Sequence, residues 1–294
     1  MKLKLRERRM GAPFGWFGGK QIHCKHLLKY IPPHYTYIEV FGGSGALLFA
    51  KPLSKTNVYN DLDHGLTNFF RVLRDKNQFK KLHRLISMTQ FSRVEYNTMR
   101  YSWKTEKDPV KKAHQFFVVA RQSFAGHIGH SWSYNIHRPV KVNSWLSLIE
   151  ELPKFHEKMM HVQVDEKDWR DVLNTYDYED AFFCLDPPYV PDTRKRGKYR
   201  FEMSYEDHDE LVMRLLTLKG KCMLSGYKNS LYEELIVNGW NYHEWSARTN
   251  AVYYSDEVKE LTDSYKDPEI QHRTESIWFN YSLENKGNPS LFSY

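Results

Sequence analysis

The stretch Tyr37-Ile-Glu-Val-Phe-Gly-Gly-Ser-Gly-Ala-Leu-Leu-Phe-Ala50 changes character twice in fourteen residues. Tyr37 to Val40 is short, β-branched and aromatic, and predicts a buried strand. Phe41 to Gly45 is a glycine turn, and the apolar run Ala46 to Ala50 predicts a helix leaving it. A second strand is expected at Asn57 to Asn60, closing on Asp61, with a helix beginning near His64. Strand, turn, helix and strand in this order form a βαβ unit, which implies a parallel sheet.

Further strands are expected at His161 to Val164, Ala181 to Leu185, Lys221 to Leu224, Tyr242 to Trp245 (weaker) and Ser276 to Tyr281. Between about Phe69 and His156 the pattern is one of charged amphipathic helices, such as the segment after Pro109 with Ala113, Phe116, Phe117 and Ala120 apolar. The one strand expected there lies near 134–142. The reading is an α/β fold in two parts, a core of 1–68 with 157–294 and an inserted segment of 69–156.

The chain has 294 residues, 41% of them hydrophobic, enough for a buried core. Five of the first nine residues are Lys or Arg, with no apolar stretch of signal-peptide length, and no later stretch approaches a membrane span. A cytoplasmic location is expected by default, without a membrane partner. The three cysteines, Cys24, Cys184 and Cys222, are too scattered for a disulfide framework or a zinc site, and read as buried thiols. The formal charge of +7 favours a polyanionic partner, and residues 194–200 hold five cations, Arg194, Lys195, Arg196, Lys198 and Arg200.

Three groups of residues carry chemistry. The turn Phe41, Gly42, Gly43, Ser44 and Gly45 lets a ligand approach the backbone, with Glu39 at the strand end beside it. Leu48 stands where a dinucleotide fingerprint needs a small residue, so NAD fits poorly. Asp61, at the end of the next strand, suits the two hydroxyls of a ribose, with capping of the following helix as its plainer role. The most specific group is Ala181-Phe-Phe-Cys-Leu-Asp-Pro-Pro-Tyr189, a buried strand ending in a carboxylate, two prolines and an aromatic. Pro187 and Pro188 fix φ and carry no N–H, leaving acceptors exposed. An amino group with two N–H donors would meet Asp186 and the Pro187 carbonyl, and its π-system would stack on Tyr189.

These motifs resemble the Dam-like family of adenine-N6 DNA methyltransferases across nearly the whole chain. Asp186-Pro-Pro-Tyr189 is joined in family order by Trp16-Phe-Gly-Gly-Lys20, Glu39-Val-Phe-Gly-Gly-Ser-Gly45, Asn60-Asp61 and Asp168-Trp169. Glu202-Met-Ser-Tyr-Glu-Asp-His208, Leu224-Ser-Gly-Tyr-Lys-Asn229 and Arg273-Thr-Glu-Ser-Ile277 follow. The resemblance implies a mixed sheet of about seven strands with a mostly helical target-recognition insert, S-adenosylmethionine (AdoMet) as methyl donor, no metal, and double-stranded DNA as partner. It implies that Trp16, Lys20, Glu39, Phe41 to Gly45, Asp61, Asp168, Trp169 and Asp186 hold the cofactor or frame its pocket. Asp186, Pro187, Pro188 and Tyr189 would hold an adenine flipped out of the duplex.

Arg121-Gln-Ser-Phe-Ala-Gly126 resembles the stretch leading to the family's DNA-reading hairpin, which makes Arg121, Ser123, Gly126 and Asn135 candidate DNA contacts. It departs from the pattern at Ala125, where the family has Asn, and from His127 to Trp132, so a GATC recognition site does not carry over. His114, His127, His130 and His137 are expected at the surface or facing DNA, and Trp132, Tyr134 and Trp145 are the aromatics considered for DNA contact. Cytosine-N4 methylation, an RNA or protein amino substrate, and a DNA-binding relative without catalysis remain alternatives at this level.

Overall fold

The computed structural model describes residues 10–134, 140–193, 199–248 and 272–283. Seven strands form one mixed sheet: β1 (Thr36–Glu39), β2 (Thr56–Asn60), β3 (Gln163–Asp165), β4 (Ala181–Leu185), β5 (Lys221–Gly226), β6 (Asn241–Arg248) and β7 (His272–Phe279). Their order is β3-β2-β1-β4-β5-β7-β6. The first five run parallel, while β7 lies antiparallel to both β5 and β6. The chain builds outward from β1 through β2 to β3, then returns to lay β4 on the other side of β1. Crossovers leave this point in opposite directions, and a crevice opens there at the carboxyl ends of β1 and β4.

Side-chain alternation along the strands feeds two core layers. Tyr37, Phe182, Met223 and Ile277 face one layer; Ile38, Phe183, Leu224 and Trp278 face the other. Every residue of β4 is buried, as expected of a central parallel strand covered on both faces. The second layer is closed by α8 (Trp169–Tyr176), α9 (Tyr205–Leu216) and the short α10 (Glu233–Val237).

The first layer is covered by α1 (Cys24–Leu27), α2 (Ala46–Ala50) and α3 (His64–Arg74), and by the helices of the expected insert: α4 (Lys76–Ser87), α5 (Arg93–Ser102), α6 (Pro109–Gln122) and α7 (Val140–Met159). Capping fixes where several of them begin. Asp63, Asp75, Ser92 and Asp108 each accept a backbone N–H from the first turn of α3 to α6, and Pro109 opens α6 with its ring-set φ. α3 runs unbroken across position 69, and its Phe69 stacks on Phe117 of α6 at 5.3 Å while Phe14 packs edge-on against both Phe69 and Phe116. The helical segment therefore shares the first core layer with the sheet.

Within that segment the strand expected near 134–142 does not form where the chain is described: Val140 starts a twenty-residue helix, and 135–139 lie outside the described residues. Val140 and Val142 are helical residues left exposed, not strand residues facing a core. Trp145 is 2% exposed and donates to the Thr89 carbonyl at 3.0 Å, so it is a core residue and not a DNA-facing one. His114 is also buried, paired with Thr89 Oγ1 at 2.7 Å, and burial pushes its imidazole down to about 4. The three cysteines are free and buried. Among the described residues no helix is long and apolar enough to cross a membrane.

Candidate active site

The glycine turn after β1 is shaped by a buried tyrosine. A Cβ on Gly42 would fall 2.2 Å from the Tyr59 ring, whose hydroxyl donates to the Gly43 carbonyl at 2.7 Å. Gly43 and Gly45 have φ of 51° and 68°, where a side chain is strained. A Cβ on Gly43 would also meet the Trp16 indole at 3.0 Å, so the turn and Trp16 form two walls of one space. Asp61 ties the turn down: its Oδ2 accepts from the Gly43 N–H and its Oδ1 from the Asp63 N–H, both at 2.8 Å. The cap of α3 is Asp63, which accepts from Gly65 N–H at 2.8 Å, so the plainer role considered for Asp61 belongs to its neighbour. Burial pushes the Asp61 carboxyl up to about 7, opposed by those two backbone donors.

Glu39 is buried at the end of β1. Its Oε1 accepts from Leu48 N–H and from the Tyr37 hydroxyl, each at 3.1 Å, and burial pushes the carboxyl up to about 7. Its Oε2 is buried with no hydrogen-bond partner among the described residues. An orphaned acceptor beside a glycine cradle is expected where a ligand supplies the missing donor.

On the far side of the crevice, β4 delivers Asp186. Its Oδ1 lies 2.7 Å from the Lys20 ammonium and accepts from Ser225 Oγ of β5 at 3.0 Å. Desolvation raises the Asp186 carboxyl, and Lys20 works against it most strongly. Lys20 itself is held well above the ordinary range, since the neighbouring carboxylates outweigh its own desolvation. Its ammonium also bonds the Tyr189 hydroxyl and lies 4.6 Å from that ring's centroid. Tyr189 is buried, packs edge-on against Tyr227 at 4.6 Å, and donates its hydroxyl to Glu275 of β7 at 2.9 Å.

Many of these parts line one solvent-open cleft, although Pro187, Tyr189 and Glu275 lie behind its wall and do not border it. Trp16, Lys20, Glu39, Phe41 to Ser44, Asp61, Asp168, Trp169, Asp186 and Pro188 all border it. Gly45 stands just behind as the residue from which α2 starts. Asp168 caps α8 through Arg170 N–H at 2.9 Å, and the Arg170 guanidinium covers the Trp169 ring at 4.4 Å.

The expected DNA contacts divide differently. Arg200 borders the same cleft, ion-paired with Asp63 and lying 4.9 Å over the Trp103 ring, so this cation closes a wall of the cleft. Arg121 is half-buried, and its guanidinium bonds Ser144 Oγ and tethers α6 to α7. Ser123 is buried, donating to Val119 O at 2.7 Å while accepting from Gly129 N–H at 3.1 Å. Gly126, with φ of 75°, lets its loop touch the Trp16 backbone, since a Cβ there would fall 2.9 Å from Trp16 C. Asn135, Arg194, Lys195, Arg196 and Lys198, with His137, lie outside the described residues. Ser225, Glu275 and Asp63 join the site without having been singled out from sequence. Glu275 left one signal, its place within the motif Arg273-Thr-Glu-Ser-Ile277.

Comparison with known proteins agrees with this geometry. The sequence model of the D12 class of N6 adenine-specific DNA methyltransferases matches residues 16–251. The chain is 26% identical over 253 residues to the type II methyltransferase M.CviBI of Paramecium bursaria Chlorella virus NC1A, covering 83% of this chain and 92% of that protein. It is 28% identical over 265 residues to the type II methyltransferase M1.LlaDCHI of Lactococcus lactis subsp. cremoris, covering 83% and 90%. It is 25% identical over 211 residues to the DNA N-6-adenine-methyltransferase of Escherichia phage P1, covering 68% of this chain but 27% of that protein. The family match takes in both walls of the cleft and the helical segment between them, and the chain belongs to the D12 class of N6 adenine-specific DNA methyltransferases, AdoMet-dependent enzymes acting on DNA.

Proposed function

We propose that the cleft holds AdoMet on its β1 side and an adenine, extruded from double-stranded DNA, on its β4 side. The observation that carries this reading is the convergence of Asp186 and the Gly42–Ser44 turn on one cleft. Bound AdoMet supplies an electrophilic methyl group on a sulfonium. The residues present fit it: Glu39 offers an orphaned acceptor to a cationic group, Asp61 has lone pairs left for ribose hydroxyls, and Trp16 offers a ring beside the glycine turn.

The adenine N6 lone pair is delocalised into the ring and is a poor nucleophile. Hydrogen bonds from N6–H to the Asp186 carboxylate and the Pro187 carbonyl favour a pyramidal nitrogen whose lone pair is free. Lys20 opposes the desolvation that raises Asp186 and so favours its accepting, ionised form, and Tyr189 stacks on the base. The base must leave the duplex, because N6 cannot reach a carboxylate inside the cleft while paired and stacked. Residues 69–156 then supply the target-recognition surface and 1–68 with 157–294 the catalytic part, while Arg194, Lys195, Arg196 and Lys198 neutralise phosphates near the extruded base. A cytoplasmic, DNA-associated enzyme follows.

The test is incubation with tritiated AdoMet and unmethylated DNA, followed by nucleoside digestion. The wild type is expected to yield N6-methyladenine, and Asp186→Asn, if folded, to lose about 10²–10³-fold in turnover, the scale of removing one preorganised electrostatic contact. Normal turnover in folded Asp186→Asn refutes the assignment.

A further inference from the structure

Glu275 is a buried carboxylate at the point where the apolar face of β7 gives way to charged and polar residues. On β7 it shares a face with Ile277 and Phe279, 0% and 5% exposed, and is itself 6% exposed. Register explains what it meets. Ile277 lies opposite Ser225 of β5, so Glu275 projects just beyond the end of that pairing, on the sheet face from which Ser225 reaches Asp186. A carboxylate buried among apolar groups is destabilising unless it is hydrogen-bonded and charge-balanced. Glu275 accepts the Tyr189 hydroxyl at 2.9 Å, and that hydroxyl also receives the Lys20 ammonium. Lys20 in turn lies 2.7 Å from Asp186.

Asp186, Lys20, Tyr189 and Glu275 thus form one chain of contacts, with two carboxylates against one ammonium. Tyr227 braces the Tyr189 ring from its edge, while the hydroxyl end is gripped from β7. Nothing in the transfer chemistry described above uses Glu275 directly, and a carboxylate buried at this position calls for a role acting through its neighbours.

We propose that Glu275 is a positioning residue for methyl transfer: its carboxylate fixes the tilt of the Tyr189 ring through the phenol hydroxyl, the same hydroxyl that holds the Lys20 ammonium paired with Asp186, so that stacking platform and amino-group acceptor are held as one unit. This rests on the reading of Asp186 and Tyr189 as the seat of the adenine. It separates two requirements, since a change at Glu275 disturbs the base seat while leaving the glycine-turn side of the cleft intact.

The experiment uses the full chain and four variants: Glu275→Ala, Glu275→Gln, Tyr189→Phe and the double variant Glu275→Ala with Tyr189→Phe. Single-turnover rate, KM for AdoMet, and emission of 2-aminopurine placed at the methylated position of a DNA duplex are measured. Glu275→Ala is expected to lower the rate about 10–100-fold with KM for AdoMet changed by less than about threefold, and to raise 2-aminopurine emission as stacking loosens. Glu275→Gln, whose amide oxygen still accepts the hydroxyl, is expected to recover at least about threefold of that loss. Tyr189→Phe is expected to fall similarly, and the double variant to lie within about threefold of either single one, because both remove the same contact.

A wild-type rate and emission in Glu275→Ala overturn the proposal, as does a double variant in which the two losses multiply. If Glu275→Ala does not fold, a Tyr189→Phe rate within about threefold of wild type overturns it. Failure of the base-seat reading is distinguished by Asp186→Asn, whose normal turnover would remove the seat itself and not merely its support.

Discussion

Replacing Lys20 with methionine keeps the side chain out to Cε and deletes its ammonium. Lys20 is 8% exposed, with its ammonium 2.7 Å from Asp186 Oδ1, and it also bonds the Tyr189 hydroxyl that Glu275 accepts. Removing it leaves two carboxylates in the site with no cation between them. Breaking a buried pair from one side costs about 3–5 kcal/mol. At about 2–4 °C per kcal/mol for a chain of roughly this size, the melting temperature near pH 8 should fall by about 6–20 °C.

The pH dependence has a definite sign. Burial already raises the Asp186 carboxyl, and loss of the ammonium raises it further. The folded variant therefore binds a proton at pH values where the unfolded chain, titrating near 3.9, has released it. Its stability falls as pH rises through that window, and the deficit against wild type shrinks as pH falls through the folded value. The Lys20 contribution in the wild type, whose folded value is raised, is fully present below about 10.4 and stays constant through the same window. Thermal melts followed by circular dichroism at pH 8 and pH 5.5 read both effects. A melting temperature within about 2 °C of wild type at pH 8, or a deficit that widens in acid, would refute the coupling of Lys20 to Asp186.

Other consequences of the geometry are as accessible. Gly42→Ala forces a methyl group into the Tyr59 ring, so it should destabilise the fold by about 1–3 kcal/mol and weaken AdoMet binding at least about tenfold, read by calorimetry. Trp145→Ala empties a site 2% exposed and strips the Thr89 carbonyl of its donor, for a loss of about 3–5 kcal/mol in urea denaturation, whereas a surface tryptophan would give little change. Replacing Arg194, Lys195, Arg196 and Lys198 together with glutamine should flatten the salt dependence of DNA binding by about 3–4 in the log–log slope, with no change in AdoMet affinity.

The central sheet was legible because its signals are local. Ala181 to Leu185 is a continuous apolar run bounded by Asp186 and two prolines, and the strand has those limits. Asp61 and Asp186 could be placed because each ends a strand beside a crevice that the topology creates. Val140 to Val142 misled because three residues of mixed polarity do not distinguish period 2 from period 3.6, and the long helix they open is settled by packing further along. Arg121 and Ser123 look like DNA contacts by motif, yet Arg121 reaches Ser144 because of how α6 meets α7, and Ser123 bonds back to Val119 at the end of its own helix. Glu275 was missed for a similar reason: Lys20, Tyr189 and Glu275 are far apart in sequence, and only the fold of β7 alongside β5 makes them one group.

The unbroken passage of α3 across position 69 bears on engineering. A chimaera made by grafting a relative's segment between 69 and 156 would cut a helix in half and take Phe69, with the Phe117 ring stacked on it, away from the Phe14 ring that packs against it. Retargeting would have to exchange loops alone, or transplant the phenylalanine cluster with the helices. Temperature-sensitive lesions in the helical segment should then show up as loss of cofactor retention as well as loss of sequence preference, since both depend on one cooperative unit.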